Sequence, residues 1–419
     1  MVMEKNISLS APLKRIKVLD ALRGFALLGV ILMHMIQHFG FFTLPSENGI
    51  LEFPILDEII QWIGSNIIMG RFINIFAFLF GLSFFIQMDR AAKKGIDFRL
   101  RFVWRMVLLL VLGLLTHSFF NLEIISVYGF FGLLMIVMYR VKNWLLLLLV
   151  AFLILGGPRV LKAIDHNSNL ETEQVADNTG QEANNRRTPR ELQEHIVSPS
   201  FINSAVYNYK ERLTGKLNYQ FGFIGRGYVT FGLFLLGLVM GRIRFFETLE
   251  THKKRNLLLF FGFLSATILV TWVQTLFPPQ NIGIFFRPDG QHIGSQILIV
   301  QALGDLAMVL FTTSLTMGFV SLYQKIQFRK YLEVLSPYGR TALTNYIMQG
   351  VIGAFLFAPW AFGSTFGNWG VAALFFLGIV IYAVQIICSK YWLKHFLYGP
   401  LEWLWRSGTY LKLQPFRKK

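Results

Sequence analysis

Apolar runs separated by short basic stretches occupy most of the chain. A helix needs about 20 apolar residues to cross roughly 30 Å of hydrocarbon. Ten segments meet that length: 18–39, 71–89, 102–120, 122–140, 143–158, 222–241, 256–277, 295–320, 340–358 and 370–391. The pattern predicts an all-α fold, a polytopic membrane helix bundle of about ten transmembrane helices. The whole chain, 1–419, is expected to form a single membrane domain. Segment 55–69 is amphipathic instead, which suits a helix that lies along the interface or re-enters. The first apolar run follows a polar, basic stretch and lacks a small-x-small cleavage site, so it reads as a retained signal anchor.

Loop charges set the expected orientation. The segments 1–17, 90–101, 140–142, 242–255, 321–339 and 392–419 carry 4, 5, 2, 5, 3 and 6 Lys plus Arg, 25 of the chain's 40. The opposite short loops 40–57, 278–294 and 359–369 hold only Arg287. By the positive-inside rule both termini are cytoplasmic, and 392–419 is a cytoplasmic C-terminal segment. The same asymmetry explains the formal charge of +17 and the pI near 9.9 without a nucleic-acid partner; the partner implied is the lipid bilayer. Composition agrees: 54% of residues are hydrophobic and only 15% charged, against about a quarter charged in soluble domains. One cysteine, Cys388, excludes an intrachain disulfide.

A long outer loop, about 159–221, remains. Its first part, DHNSNLETEQVADNTGQEANNRRTP, has the composition of a mobile connector. Its second part, from Pro189, reads as partly helical. The loop is either a solvated connector or a lid over the outer mouth. No metal-spacing motif, Walker loop or dinucleotide glycine loop is present.

The sharpest chemical signal is RIKVLDALRGFALLGVILMHMIQHF, residues 15–39. At about 100° per residue, Asp20, Arg23, His34 and His38 fall within about 60° of arc on an otherwise apolar helix. Arg23 and His34 are about 16 Å apart along the axis. Ionisable groups at that depth face a bundle interior or a watery cavity. An arginine fork suits phosphate, and a deep histidine suits general-base chemistry. The alternatives are an Asp20–Arg23 interfacial ion pair and a His34 that only bonds a neighbouring helix. For His38, near the outer interface, the plain structural role is favoured.

Other polar residues extend the candidate set. Arg71 and Asn74 open the second span, and Arg105 reads as a snorkelling residue. His117, Asn121 and Glu123 cluster at an outer end. Asp305 sits mid-span and requires a basic partner from another helix. Thr341, Asn345 and Gln349 form one polar edge, suited to gluing helices or to substrate contact. Arg340 is a second candidate anion ligand. Trp403, Trp405 and Arg406 suit an aromatic belt.

The N-terminal LDALRGFALLGVILMH and the C-terminal GRTALTNYIMQ and GPLEWLWR resemble the YeiB-like family of bacterial multi-pass inner-membrane proteins, and LFGLSF at 79–84 fits as well. The resemblance covers essentially the whole chain. The first span is also similar to that of transmembrane acyltransferases, including heparan-α-glucosaminide N-acetyltransferase and the O-antigen O-acetyltransferases. In the latter an arginine or lysine followed after ten residues by a histidine is required, and Arg23 and His34 match that spacing. The resemblance implies a bacterial inner (plasma) membrane location and an acyl-CoA co-substrate, acetyl-CoA first, with no permanently bound cofactor or metal. It implies transfer to an envelope glycan or lipid-linked acceptor on the outer side. In that scheme His34 is the base, and Asn74 or Asn345 steadies the oxyanion. Arg23 and Arg340 meet the CoA phosphates, and Asp20, His38, Arg71 and Gln349 complete the substrate contacts. A homo-oligomer is left open.

A transporter or flippase for an anionic solute or lipid is the competing class, since the same stripe could line a permeation path. A structural or sensory protein would not need the Arg23–His34 register.

Overall fold

Aliphatic residues on every side of Lys17–Ile36 (α1) let most of that helix be buried. In a computed structural model, which describes residues 16–41, 51–176, 198–286, 288 and 290–418, α1 is the centre of the bundle. Pro54–Ile63 (α2) leads through a π-turn into Arg71–Ala92 (α3), followed by Arg99–His117 (α4), Ile125–Met138 (α5) and Asn143–Ile154 (α6). Then come Gly157–Ala176 (α7), Phe201–Tyr207 (α8), Leu213–Phe221 (α9) and Arg226–Arg242 (α10). The second half holds Lys253–Thr275 (α11), Ser295–Tyr323 (α12), Ile326–Leu332 (α13) and Leu335–Arg340 (α14). Ala342–Phe357 (α15), Gly363–Phe366 (α16), Val371–His395 (α17) and Pro400–Tyr410 (α18) complete it. No strand occurs among the described residues, only two isolated bridges.

Six of these helices are long and apolar enough to cross a membrane, and up to eight if each of two bent pairs counts as one span. The chain is therefore a multi-pass membrane protein. Two of the ten predicted segments appear as short helices, α5 with 14 residues and α15 with 16. At 1.5 Å per residue they are about 21 and 24 Å long, less than the hydrocarbon thickness. The polar stretch after residue 159 is not wholly non-helical, because α7 continues through Ala176. The rest of that stretch, to 197, and the N-terminal residues 1–15 lie outside the described residues.

The core is built on α1, α3 and α10. The most apolar window of α1 is 72% buried, against 6% for α11, which lies at the periphery with its apolar side chains outward. Glycines set the close approaches. A Cβ on Gly81 of α3 would lie 1.9 Å from the Phe234 carbonyl oxygen, and one on Gly237 of α10 would lie 2.2 Å from the Phe78 oxygen. One on Gly339 of α14 would meet the Asp20 oxygen at 1.8 Å. Those backbones touch directly, so α1 and α14 are locked into one unit although they are far apart in sequence.

Three helical runs are interrupted at a glycine with positive φ, a conformation that other residues adopt at a steric cost. Gly70 (φ +75°) separates the π-turn from α3, Gly156 (φ +80°) separates α6 from α7, and Gly225 (φ +68°) precedes α10. The last two breaks bend the chain by 52° and 56°.

Candidate functional site

The residues of the first span diverge once they are placed in three dimensions. Helix α1 ends at Ile36, and His38 lies in a 3₁₀ turn with φ +49°. The helical register that aligns it with Asp20 in sequence therefore does not reach it. Arg23 donates to Asp20 Oδ1 at 2.9 Å and to Ser83 Oγ of α3 at 2.7 Å. Asp20 is buried, so the pair fixes the arginine against α3.

Arg23 forms part of the mouth of a cavity of about 320 Å³ between α3, α4, α5 and α15. Arg340, at the end of α14, lines the same mouth and donates to the Leu397 carbonyl at 3.5 Å. Arg105 of α4 is the third arginine there. Its guanidinium carbon lies 3.7 Å from the ring centre of Trp405 on α18, a cation–π contact, and its buried Nε has no partner among the described residues. The Trp405 indole in turn donates to the Arg105 carbonyl at 3.0 Å. Glu402 also faces the cavity; it accepts from the backbone N–H of Thr344 at 3.0 Å and from its hydroxyl at 2.6 Å. Burial pushes the Glu402 carboxyl above the ordinary carboxylate range, against the pull of those two bonds.

The body of the cavity is apolar, lined by Phe76, Phe80, Phe84, Phe102, Met106 and Leu343. Its far end is closed by Ile73, Ile124, Tyr128 and Tyr346. Tyr346 accepts from the Ile124 N–H at 3.1 Å, and Tyr128 donates to the Ile73 carbonyl at 3.2 Å. Such a slot, cationic at one end and hydrophobic along its length, is shaped for an amphiphile with an anionic head and a slender tail.

His34 does not line this cavity. Its ring packs edge-on against Phe120 at 5.0 Å, and Phe120 lies 5.9 Å from Tyr346. One aromatic ring therefore separates the histidine from the far wall. His34 Nδ1 is buried with no partner among the described residues. His38 packs against Phe357 at 5.2 Å.

The remaining candidates lie elsewhere. Asn345 donates to Thr341 Oγ1 at 2.8 Å and to Ser389 Oγ of α17 at 3.0 Å. Gln349 donates to the Tyr338 hydroxyl at 2.8 Å, and Tyr338 donates to Gln385 Oε1 at 2.7 Å. That polar edge joins α15 to α14 and α17, away from the slot. Asn74 is fully buried; it accepts from Arg226 at 2.8 Å and donates to Thr312 at 3.4 Å. Arg71 donates to the carbonyls of Ser65 at 2.9 Å and Met69 at 2.8 Å. Asp305 does find its basic partner on another helix, Arg159, at 2.7 Å. His117, Asn121 and Glu123 hold the segment Phe201–Phe221 across the ends of α4 and α5, through Asn208 and Lys216. Among the described residues no three His, Cys, Asp or Glu side chains group as metal ligands do.

Sequence alone brings Arg23 and Arg340 to one mouth but misses Arg105 and Trp405 as a stacked pair. Their separation of three hundred positions hides it. The only signal is the density of aromatic and charged side chains in GPLEWLWR.

Comparisons with known proteins find relatives for both parts of the chain. Residues 15–176, which include Arg23 and Arg105, match the family described as heparan-alpha-glucosaminide N-acetyltransferase, catalytic. Residues 240–412, which include Arg340, Glu402 and Trp405, match the family described as protein of unknown function DUF418. The uncharacterized protein YxaH of Bacillus subtilis (strain 168) is 29% identical over 97% of both chains. An uncharacterized 39.9 kDa protein in the amylase 3' region of Bacillus acidopullulyticus is 27% identical, again over 97% of both. The uncharacterized protein YeiB of Escherichia coli (strain K12) is 32% identical over 22% of this chain and 23% of its own. The chain is a multi-pass membrane protein that resembles the YeiB-like family and has acyltransferase similarity in its first part.

Proposed function

We propose that the protein is a membrane acyltransferase that takes an acyl group from cytoplasmic acyl-CoA, acetyl-CoA first, and passes it to an envelope glycan or lipid-linked acceptor. The observation that carries this reading is the shared mouth. Arg23, Arg105 and Arg340 come from three distant parts of the chain and meet at one end of an apolar slot. The CoA phosphates engage the three guanidinium forks, and the pantetheine arm lies along the slot. With the basic loops cytoplasmic, that mouth opens on the side where acyl-CoA is found.

In the transfer step the acceptor hydroxyl or amine attacks the thioester carbonyl while His34 Nδ1 takes its proton. The new C–O or C–N bond forms as the C–S bond breaks, and the departing thiolate recovers a proton to leave as CoA thiol. His34 reaches the thioester only when the Phe120 ring turns aside, so Phe120 acts as a gate between base and slot. The test is binding of acetyl-CoA to the purified protein, with Arg23→Ala and His34→Ala at matched folding. Saturable binding lost with Arg23 but kept without His34 is expected. No binding by a folded wild type would overturn the reading.

A transporter for an anionic solute is the second reading, favoured by the interrupted helices. Flux across a sealed vesicle with no covalent product would establish it.

A further inference from the structure

We infer that the three glycine interruptions together form a binding site for a phosphate-type oxyanion, carried by the acceptor. This rests on the acyltransferase reading for the word acceptor, but not for the site itself. Each interruption is followed within three residues by an arginine: Gly70 by Arg71, Gly156 by Arg159, and Gly225 by Arg226. Arg71 and Arg226 are the first residues of α3 and α10, and neither helix has a side-chain cap. The two helices pack in the same direction, so their positive dipole ends lie together. The cluster sits at the opposite end of the slot from the basic mouth. Arg71 and Ser83, both on α3, are about 18 Å apart along its axis.

The charge balance points to an anion. Arg226 is 8% exposed and Arg159 2% exposed, and buried guanidinium groups require compensation. Among the described residues one carboxylate serves all three arginines. Asp305 pairs with Arg159, which also donates to the carbonyls of Phe223 and Ile224. Arg226 makes its bonds to neutral groups, Asn74 Oδ1 at 2.8 Å and the Met308 sulfur at 3.0 Å. A thioether is a weak acceptor for a charged donor. Two further donors, Arg71 Nε and Arg159 Nη1, are buried without partners among the described residues. Buried donors are nearly always satisfied by protein, water or ion. Converging helix N-termini, forked cations and unspent donors are the chemistry that recognises a phosphate.

The cluster also adjoins the slot. Ile73 and Tyr128 close its far end; Ile73 precedes Asn74, which accepts from Arg226, and Tyr128 donates to the Ile73 carbonyl. Arg71 is half-buried, which leaves a way in from the surface. Donor and acceptor would thus be held by separate anion sites at the two ends of one passage.

The test uses the full chain in a neutral detergent, with acetyl-CoA present to fill the mouth. Inorganic phosphate, glycerol 1-phosphate and a short polyprenyl phosphate are titrated by calorimetry, with glycerol and the matching polyprenol as uncharged controls. Saturable binding of at least one phosphate probe is expected, weakened about tenfold or more in Arg226→Gln. Arg71→Gln, at a half-buried position, serves the same purpose should Arg226→Gln fail to fold. Binding of the lipid probe alone identifies a headgroup, and binding of all three a soluble ester; both support the site. No phosphate binding by wild type, undiminished binding in the folded variants, or a loss that follows Arg23→Ala instead overturns it. Acetyl-CoA binding is measured alone on each variant, so failure of the donor reading is seen separately.

Discussion

Glu402 of α18 caps the first turn of α15 through Thr344, accepting from its backbone N–H at 3.0 Å and its hydroxyl at 2.6 Å. The N–H groups of a first turn have no partner within their own helix, and here a residue almost sixty positions away supplies one. The cap holds the C-terminal segment against α15 and places Trp405 under Arg105. Glu402→Ala is expected to lower the unfolding free energy by about 1–3 kcal/mol. The carboxyl has a pH signature because its folded value lies above the ordinary 4.5. Between the two values the folded state binds more protons than the unfolded one, so this group's contribution to stability falls as pH rises through that window and levels off above it. Melts of wild type and Glu402→Gln from pH 4 to 8 should show the wild-type advantage shrinking as pH rises. A difference independent of pH would mean that the carboxyl does not titrate there.

Gly339 admits no side chain, since a Cβ would lie 1.8 Å from the Asp20 carbonyl oxygen, and that atom is backbone. Gly339→Ala must push α1 away from α14, with an expected loss beyond the usual 1–3 kcal/mol of overpacking. Arg23 and Arg340 would separate, and acyl-CoA binding would weaken in parallel. Gly215→Ala, where nothing lies within 4 Å, should be neutral or slightly stabilising. Equal melting temperatures for the two variants would remove the close contact from the account.

The helices that carry long apolar runs were legible because lipid allows few other solutions. The Arg23–Asp20 pair was legible from its spacing within one helix. What pairs across the chain was not: Arg105 with Trp405, Glu402 with Thr344, and Arg159 with Asp305 each depend on which helices become neighbours. Asn345 and Gln349 show the converse. Their spacing marks a polar edge but cannot say whether substrate or α17 meets it, and the side chains meet Ser389 and Tyr338. The glycine–arginine steps at Gly70 and Gly225 were visible in the sequence. Only the broken geometry makes them more than ordinary span glycines.

Arg105→Lys keeps the charge and loses the planar fork that stacks on Trp405. Acyl-CoA affinity is expected to fall about tenfold, with the salt dependence of binding little changed because the charge remains. Trp405→Phe should weaken binding less, since a smaller face remains under the guanidinium. An Arg105→Lys protein that binds as wild type would return this residue to a snorkelling role.

His34→Gln is expected to bind acetyl-CoA normally and to lose about 10²–10⁴-fold in turnover, the range for removal of a general base. Phe120→Ala opens the space between His34 and Tyr346. With the gate gone, water can reach the thioester, and acetyl-CoA hydrolysis without acceptor should rise. The double variant should lose that hydrolysis if His34 serves as its base. Hydrolysis that persists without His34 would place the base elsewhere.

Asp305 and Arg159 form an ion pair buried on both sides, with 1% and 2% exposure. Removing one partner strands the other charge, so Asp305→Asn is expected to cost about 3–5 kcal/mol. A well-packed apolar replacement of both partners is often neutral, but here it should not be. Arg159 also satisfies the carbonyls of Phe223 and Ile224 at the break before α10, and each stranded carbonyl costs about 1–3 kcal/mol. Asp305→Leu with Arg159→Met should therefore remain destabilised relative to wild type in detergent melts, recovering only part of the loss of Asp305→Asn. Full recovery would mean that the break at Gly225 is held by backbone packing alone and that Arg159 is free for another task.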